Sequence, residues 1–96
     1  MKLYLDDERE TPSDWFRTYT VDHTIDLLNS GVVKELSLDH DLGVEDSNGY
    51  DVLLWIEEQV ALHGFIPPKI YIHSANSSAK VKMMLAVEQI IKLSNS

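Results

Sequence analysis

The segment "KELSLDHDLG", Lys34 to Gly43, decides how this chain is to be read. Leu36 and Leu38 alternate with Ser37, as on a strand with one face in a core. Asp39, His40 and Asp41 follow in a row, and then Gly43 permits a turn. Ionisable groups are costly to bury without partners, so three at one strand end require an explanation.

The flanking sequence supplies a frame. "KLYL" (Lys2 to Leu5) reads as a first strand that runs into "DDER". Pro12, Thr11 and Ser13 mark a turn, and "FRTYT" (Phe16 to Thr20) reads as a second strand. Val21, Ile25 and Leu28 recur at helical spacing up to Gly31. After the strand in "KELSLD", the segment "GVEDSNG" reads as a loop. From Tyr50 a helix places Val52, Trp55, Ile56 and Val60 on one face and stops at Gly64. Pro67 and Pro68 break the chain before a fourth strand, "KIYIHS" (Lys69 to Ser74). "ANSS" then caps a last helix whose apolar stripe is read as Val81, Met84, Leu85, Val87, Ile90 and Ile91.

Strands that alternate with helices imply an α/β domain with a mostly parallel sheet covered on both faces. Ligands of such sheets bind beyond the carboxyl ends of the strands. Asp6, Asp7, Glu8 and Arg9 follow the first strand, Asp39, His40 and Asp41 the third, and His73, Ser74 and Asn76 the fourth. The polar residues therefore gather where the architecture predicts a site.

The 96 residues suffice for one domain, 1–96, with a modest core. Sixteen acids against eight Lys and Arg give a formal charge of -8, which argues against a nonspecific nucleic-acid surface. No apolar run is long enough to span a membrane, the start lacks signal-peptide anatomy, and cysteine is absent. A cytoplasmic location fits these features best.

Carboxylates from two strand ends suit a hard cation, Mg2+ or Mn2+, which takes oxygen ligands. Asp7 and Asp39 are the first choices as ligands, with Asp6 and Asp41 as helpers. Ser74, Arg9 and Asn76 could hold a phosphate, helped by the amino end of the last helix. His40 and His73 titrate near neutrality and could act as acid and base beside Asp39. The plainer readings are acidic turns, helix caps and a histidine ion pair. His23 and His63 read as surface residues, and Trp15 and Trp55 as packing residues.

"LYLDDE", "ELSLDHDLG…NGYDVLLWI" and "IYIHSAN" together resemble the receiver domains of response regulators. In that family an acidic pair follows the first strand, a phospho-accepting Asp ends the third, and Ser or Thr before Ala ends the fourth. Those positions match Asp6 and Asp7, Asp39, and Ser74 with Ala75. The combination looks closest to the cyclic-phosphate-processing receivers, a divergent and minimal subgroup. The resemblance implies a small receiver-like (flavodoxin-like) three-layer sandwich with a mostly parallel sheet of about four strands. The sequence departs from the family in offering no fifth strand with its Lys. It also departs in a segment between the first two strands too short for a usual parallel crossover, so the first receiver helix is expected to be abbreviated or absent. It also implies metal-dependent binding and hydrolysis of a cyclic phosphate, on a nucleotide or an RNA terminus. The alternative is a non-catalytic module that signals by phosphate occupancy or docks on a protein partner.

Overall fold

The computed structural model describes residues 1–39, 41–44 and 47–95, of which 41–44 and 47 are described by their backbone alone. Strands β1 (Lys2–Leu5), β2 (Phe16–Thr18), β3 (Glu35–Leu38) and β6 (Lys69–Ile72) form one parallel sheet in the order β2-β1-β3-β6. This is the strand order of a flavodoxin-like sheet up to its fourth strand. Among the described residues no strand lies beyond β6, as the sequence leads one to expect.

Registry fixes which side chains share a face. Leu3 pairs with Leu36, Leu36 with Ile70, Leu5 with Leu38, and Leu38 with Ile72. These residues form one apolar face. Helices α1 (Val21–Asn29), α2 (Gly49–His63) and α3 (Ser77–Ser94) bring Leu28, Val52, Leu53, Ile56, Met83, Val87 and Ile90 into the same buried cluster.

Each helix starts on a polar side chain that accepts from an otherwise unpaired amide. Thr20 accepts from the His23 amide, and Asn76 from the Ala79 amide. Asn48 and Asp51 form a reciprocal capping box at α2. Gly64 ends α2 with a φ of 64°, a left-handed conformation that costs a glycine little.

Strand–helix alternation predicts helices on both sheet faces, while the short segment after β1 predicts an abbreviated or absent first helix; the described helices all pack into the one cluster. The cause lies between β1 and β2. Residues 6–15 cross there without a helix, too few for a helical crossover between parallel strands. They lay Trp15 over the opposite face instead, edge-on to Tyr4 at 6.1 Å and to Tyr71 at 6.2 Å. An aromatic cover thus stands where a helical layer was expected.

Two local expectations also change. The predicted loop "GVEDSNG" contributes Gly43 and Val44 to strand β4 (Asp41–Val44), which pairs antiparallel with β5 (Ser47–Asn48). In α3 the buried stripe is Ala79, Met83, Ala86, Val87 and Ile90. Met84, Val81, Leu85 and Ile91 are exposed. This helix has apolar residues on two sides, so periodicity alone could not choose the inner one.

Candidate functional site

Alternation carries the polar residues of β1, β3 and β6 to the face opposite the core. Tyr4 pairs with Ser37, and Ser37 with Tyr71. Two residues further along, each strand ends in an ionisable group: Asp6, Asp39 and His73. The backbone holds these ends in parallel, since the Asp39 amide donates to the Leu5 carbonyl and the His73 amide to the Leu38 carbonyl.

Asp6 is wholly buried. Its Oδ1 accepts from the Glu8 amide at 2.8 Å and the Arg9 amide at 2.9 Å, a tight turn closed by the side chain. Its Oδ2 lies 3.1 Å from His73 Nε2 and 3.8 Å from Arg9 Nε. Burial on its own would raise the pKa of this carboxyl. The Arg9 and Glu8 amides, with the charge and hydrogen bond of His73, outweigh that and bring it below its ordinary value. Asp6 is therefore an anion at neutral pH.

Both ring nitrogens of His73 are engaged. Nδ1 is 2.6 Å from Ser37 Oγ, and Nε2 faces Asp6. Burial pushes the imidazole pKa down, as does Arg9, against the upward pull of Asp6 and Asp39, and the net direction is down. The neutral ring has one donor and one acceptor, and an ionised carboxylate can only accept. Nε2–H therefore donates to Asp6, and Nδ1 accepts from the Ser37 hydroxyl. The ring lies flat on Tyr4, centroids 4.2 Å apart and planes 3° apart.

Asp7 and Asp39, both half-buried, complete a group of carboxylates with Asp6 whose oxygens lie within 4.8 Å of one another. Arg9 spans the mouth, its Nη1 donating to the His73 carbonyl at 2.6 Å. Ser74 follows, and its Oγ accepts from the Asn76 amide at 3.1 Å. Asn76 is spent in part as the α3 cap, the plainer of the two readings of that residue. His40 lies outside the described residues, and so does the side chain of Asp41, whose backbone opens β4.

Two residues that hold the site were not anticipated. Ser37 is small, so Tyr4 and His73 can meet above it although β3 separates their strands. Its signal was an out-of-place hydroxyl between two leucines. Gly49 starts α2 against the end of β3, where a Cβ would fall 1.9 Å from the Asp39 carbonyl oxygen. The close approach of α2 to Asp39 needs a residue without a side chain.

A carboxylate cluster just past the ends of β1 and β3, with a Ser two residues past the end of the neighbouring strand β6, is the arrangement of a receiver. Residues 1–89 match the family model described as the cyclic-phosphate processing receiver domain. The chain belongs to this family. Neither the curated proteins nor the solved structures give a match to it. The guanidinium of Arg9, anchored to Asp6 and to the His73 carbonyl, stands beside the acids. Among the described residues no helix is long and apolar enough to cross a membrane.

Proposed function

We propose that this receiver domain binds a divalent cation at Asp7 and Asp39 and hydrolyses a cyclic phosphodiester, on a nucleotide or an RNA terminus. The observation that carries the reading is the convergence of Asp6, Asp7 and Asp39 within 4.8 Å, one of them wholly buried and held as an anion. Three hard oxygen donors with no sulfur and no free imidazole among them fit Mg2+ or Mn2+. Such an ion, when bound, polarises phosphoryl oxygens and acidifies water.

The chain's own groups divide the remaining work. Asp6 is the fixed rear wall, held by two amides and His73, and orients the turn that carries Asp7. His73 is a positioning residue, because neither ring nitrogen is left over for a substrate. Ser74 accepts from Asn76 and still has its own proton to donate to a phosphate oxygen. Arg9 contributes a cation and Asn76 an amide at the same mouth. His40, next to Asp39 in sequence, is the candidate for proton transfer. In the reaction a water oxygen adds to phosphorus and one ribose P–O bond breaks. The departing alkoxide takes a proton, which leaves a phosphomonoester.

The saturation of His73 also favours a second reading, in which the domain binds a cyclic phosphate and signals occupancy without turnover. Incubation with 2′,3′-cyclic and 3′,5′-cyclic nucleotides and Mg2+, followed by 31P NMR with and without the protein, separates the two. Appearance of a monoester resonance supports hydrolysis. Line broadening without a new resonance supports binding alone, and an unchanged spectrum with all ligands sinks both.

A further inference from the structure

Helix α3 has two apolar faces, and the fold uses one. Ala79, Met83, Ala86, Val87 and Ile90 recur at helical spacing and point into the core. Val81, Met84, Leu85 and Ile91 recur on the opposite side, 63%, 43%, 60% and 52% exposed. A surface helix ordinarily sets polar residues against solvent, and a helix apolar all round is ordinarily covered all round. No described element packs on this outer face.

The order of residues along the face specifies what covers it. Met84 is central. Lys80 stands four residues before it and Glu88 four residues after, and both are exposed. Ser77 and Ile91 stand seven residues before and after. A pattern with a cation at one end and an anion at the same distance on the other is complementary to itself when reversed. Two copies laid antiparallel about a twofold axis at Met84 bring Lys80 of each against Glu88 of the other. Met84 then meets Met84, and Val81 and Leu85 close the seam. Self-complementarity of this kind is what an isologous contact requires.

We propose that the outer face of α3 is a homodimer surface, with Val81, Met84 and Leu85 as its apolar centre and two Lys80–Glu88 pairs as its rim. The contact is small beside the standard interface of about 1,600 Å², so the dimer is a weak one. The pairs set orientation more than affinity, since exposed ion pairs contribute little. Because α3 starts beside Ser74 and Asn76, an antiparallel pair places the two phosphate sites at opposite ends of the assembly and leaves both open. The proposal does not depend on the catalytic reading.

Sedimentation velocity on the full chain, from about 10 µM to 1 mM, reads this directly, the range being that of weak association. The expected result is a weight-average mass that rises from the 10.9 kDa monomer toward twice that value. Met84→Asp, which sets two carboxylates at the axis, abolishes the rise. Lys80→Glu and Glu88→Lys each weaken it about tenfold or more, the usual effect of like charges in register. The double exchange restores it, because each copy again meets its opposite charge. These side chains are exposed, so circular dichroism and melting of the variants report an intact fold. A single monomer mass at every concentration overturns the proposal. So does a dimer that survives Met84→Asp, or one indifferent to either charge reversal.

Discussion

Asp6 and His73 are bonded at 3.1 Å although β3 lies between their strands. The reach is possible because Ser37, the residue of β3 beneath them, is small and itself bonds Nδ1 at 2.6 Å. One imidazole thus joins the ends of three strands. Removing the hydroxyl leaves a half-buried Nδ1 without its donor, which typically costs about 1–3 kcal/mol. Ser37→Ala is expected to lower stability in urea unfolding by that order. Ser37→Leu should cost more, since it also fills the gap in which Tyr4 and His73 stack. Wild-type stability in both variants would contradict the bridging role.

Burial of the His73 ring, which outweighs the upward pull of Asp6 and Asp39, gives the metal-free protein a pH dependence with a definite sign. The His73 pKa is lowered in the folded state, so the unfolded chain binds the extra proton first. Stability then falls as pH drops below about 6.5 toward the folded value. Asp6 is also lowered, so its contribution is present above the ordinary carboxyl range and is lost as pH falls below about 3.8. Urea midpoints in chelator should decline in two stages. His73→Gln should flatten the upper stage and shrink the lower, which the Arg9 and Glu8 amides still sustain in part. An upper stage unchanged in His73→Gln would assign it to another group.

Divalent cation is expected to raise the melting temperature. A ligand at ten times its Kd adds about 1.4 kcal/mol to the native state, and in a domain this size that corresponds to roughly 4–8 °C per kcal/mol. Asp39→Asn should shrink the response. It should also raise the metal-free midpoint slightly, since one of three clustered like charges is gone. A midpoint indifferent to millimolar Mg2+ and Mn2+ sinks the cation site.

Gly49 offers a test of how the fold sets Asp39. With a Cβ 1.9 Å from the Asp39 carbonyl oxygen and 3.0 Å from Met83 Cε, either α2 or the end of β3 must move. Gly49→Ala should destabilise by about 1–3 kcal/mol, the usual cost of overpacking. It should also weaken the cation response more than loss of stability alone explains. Equal metal response in the folded variant would mean that Asp39 is set by β3 alone.

How far these relationships could be read beforehand depends on how local they are. The bounds of β1, the stop at Gly64 and the gathering of Asp6, Asp7, Asp39 and His73 at strand ends follow from alternation, turn chemistry and the strand-end rule. The β4–β5 hairpin did not, because segments of four and two residues are too short to give a decisive periodic signal. Met83 lies outside the stripe that periodicity selects, although it is buried, because α3 presents a credible stripe on either side. The Ser37–His73–Asp6 chain needed the strand order itself, since its members lie 36 and 67 residues apart.

The two histidines divide once that chain is known. His73 holds Asp6 with one nitrogen and Ser37 with the other, so His73→Ala removes a partner from a buried carboxylate. Its loss of activity should come with lower stability and a weaker cation response. His40 follows Asp39 directly, and a group that only transfers protons is not needed for folding. His40→Ala should therefore cut hydrolysis by about 10²–10⁴-fold, the usual contribution of one acid or base, with melting and metal binding nearly unchanged. The pH–rate profile should lose one limb in His40→Ala, while His73→Gln, whose amide nitrogen reaches the place of Nε2 and retains a donor toward Asp6, should keep both limbs. If instead His40→Ala hydrolyses at the wild-type rate, no imidazole is left for proton transfer at this site. The water activated by the cation and the Ser74 hydroxyl would then have to account for both protons.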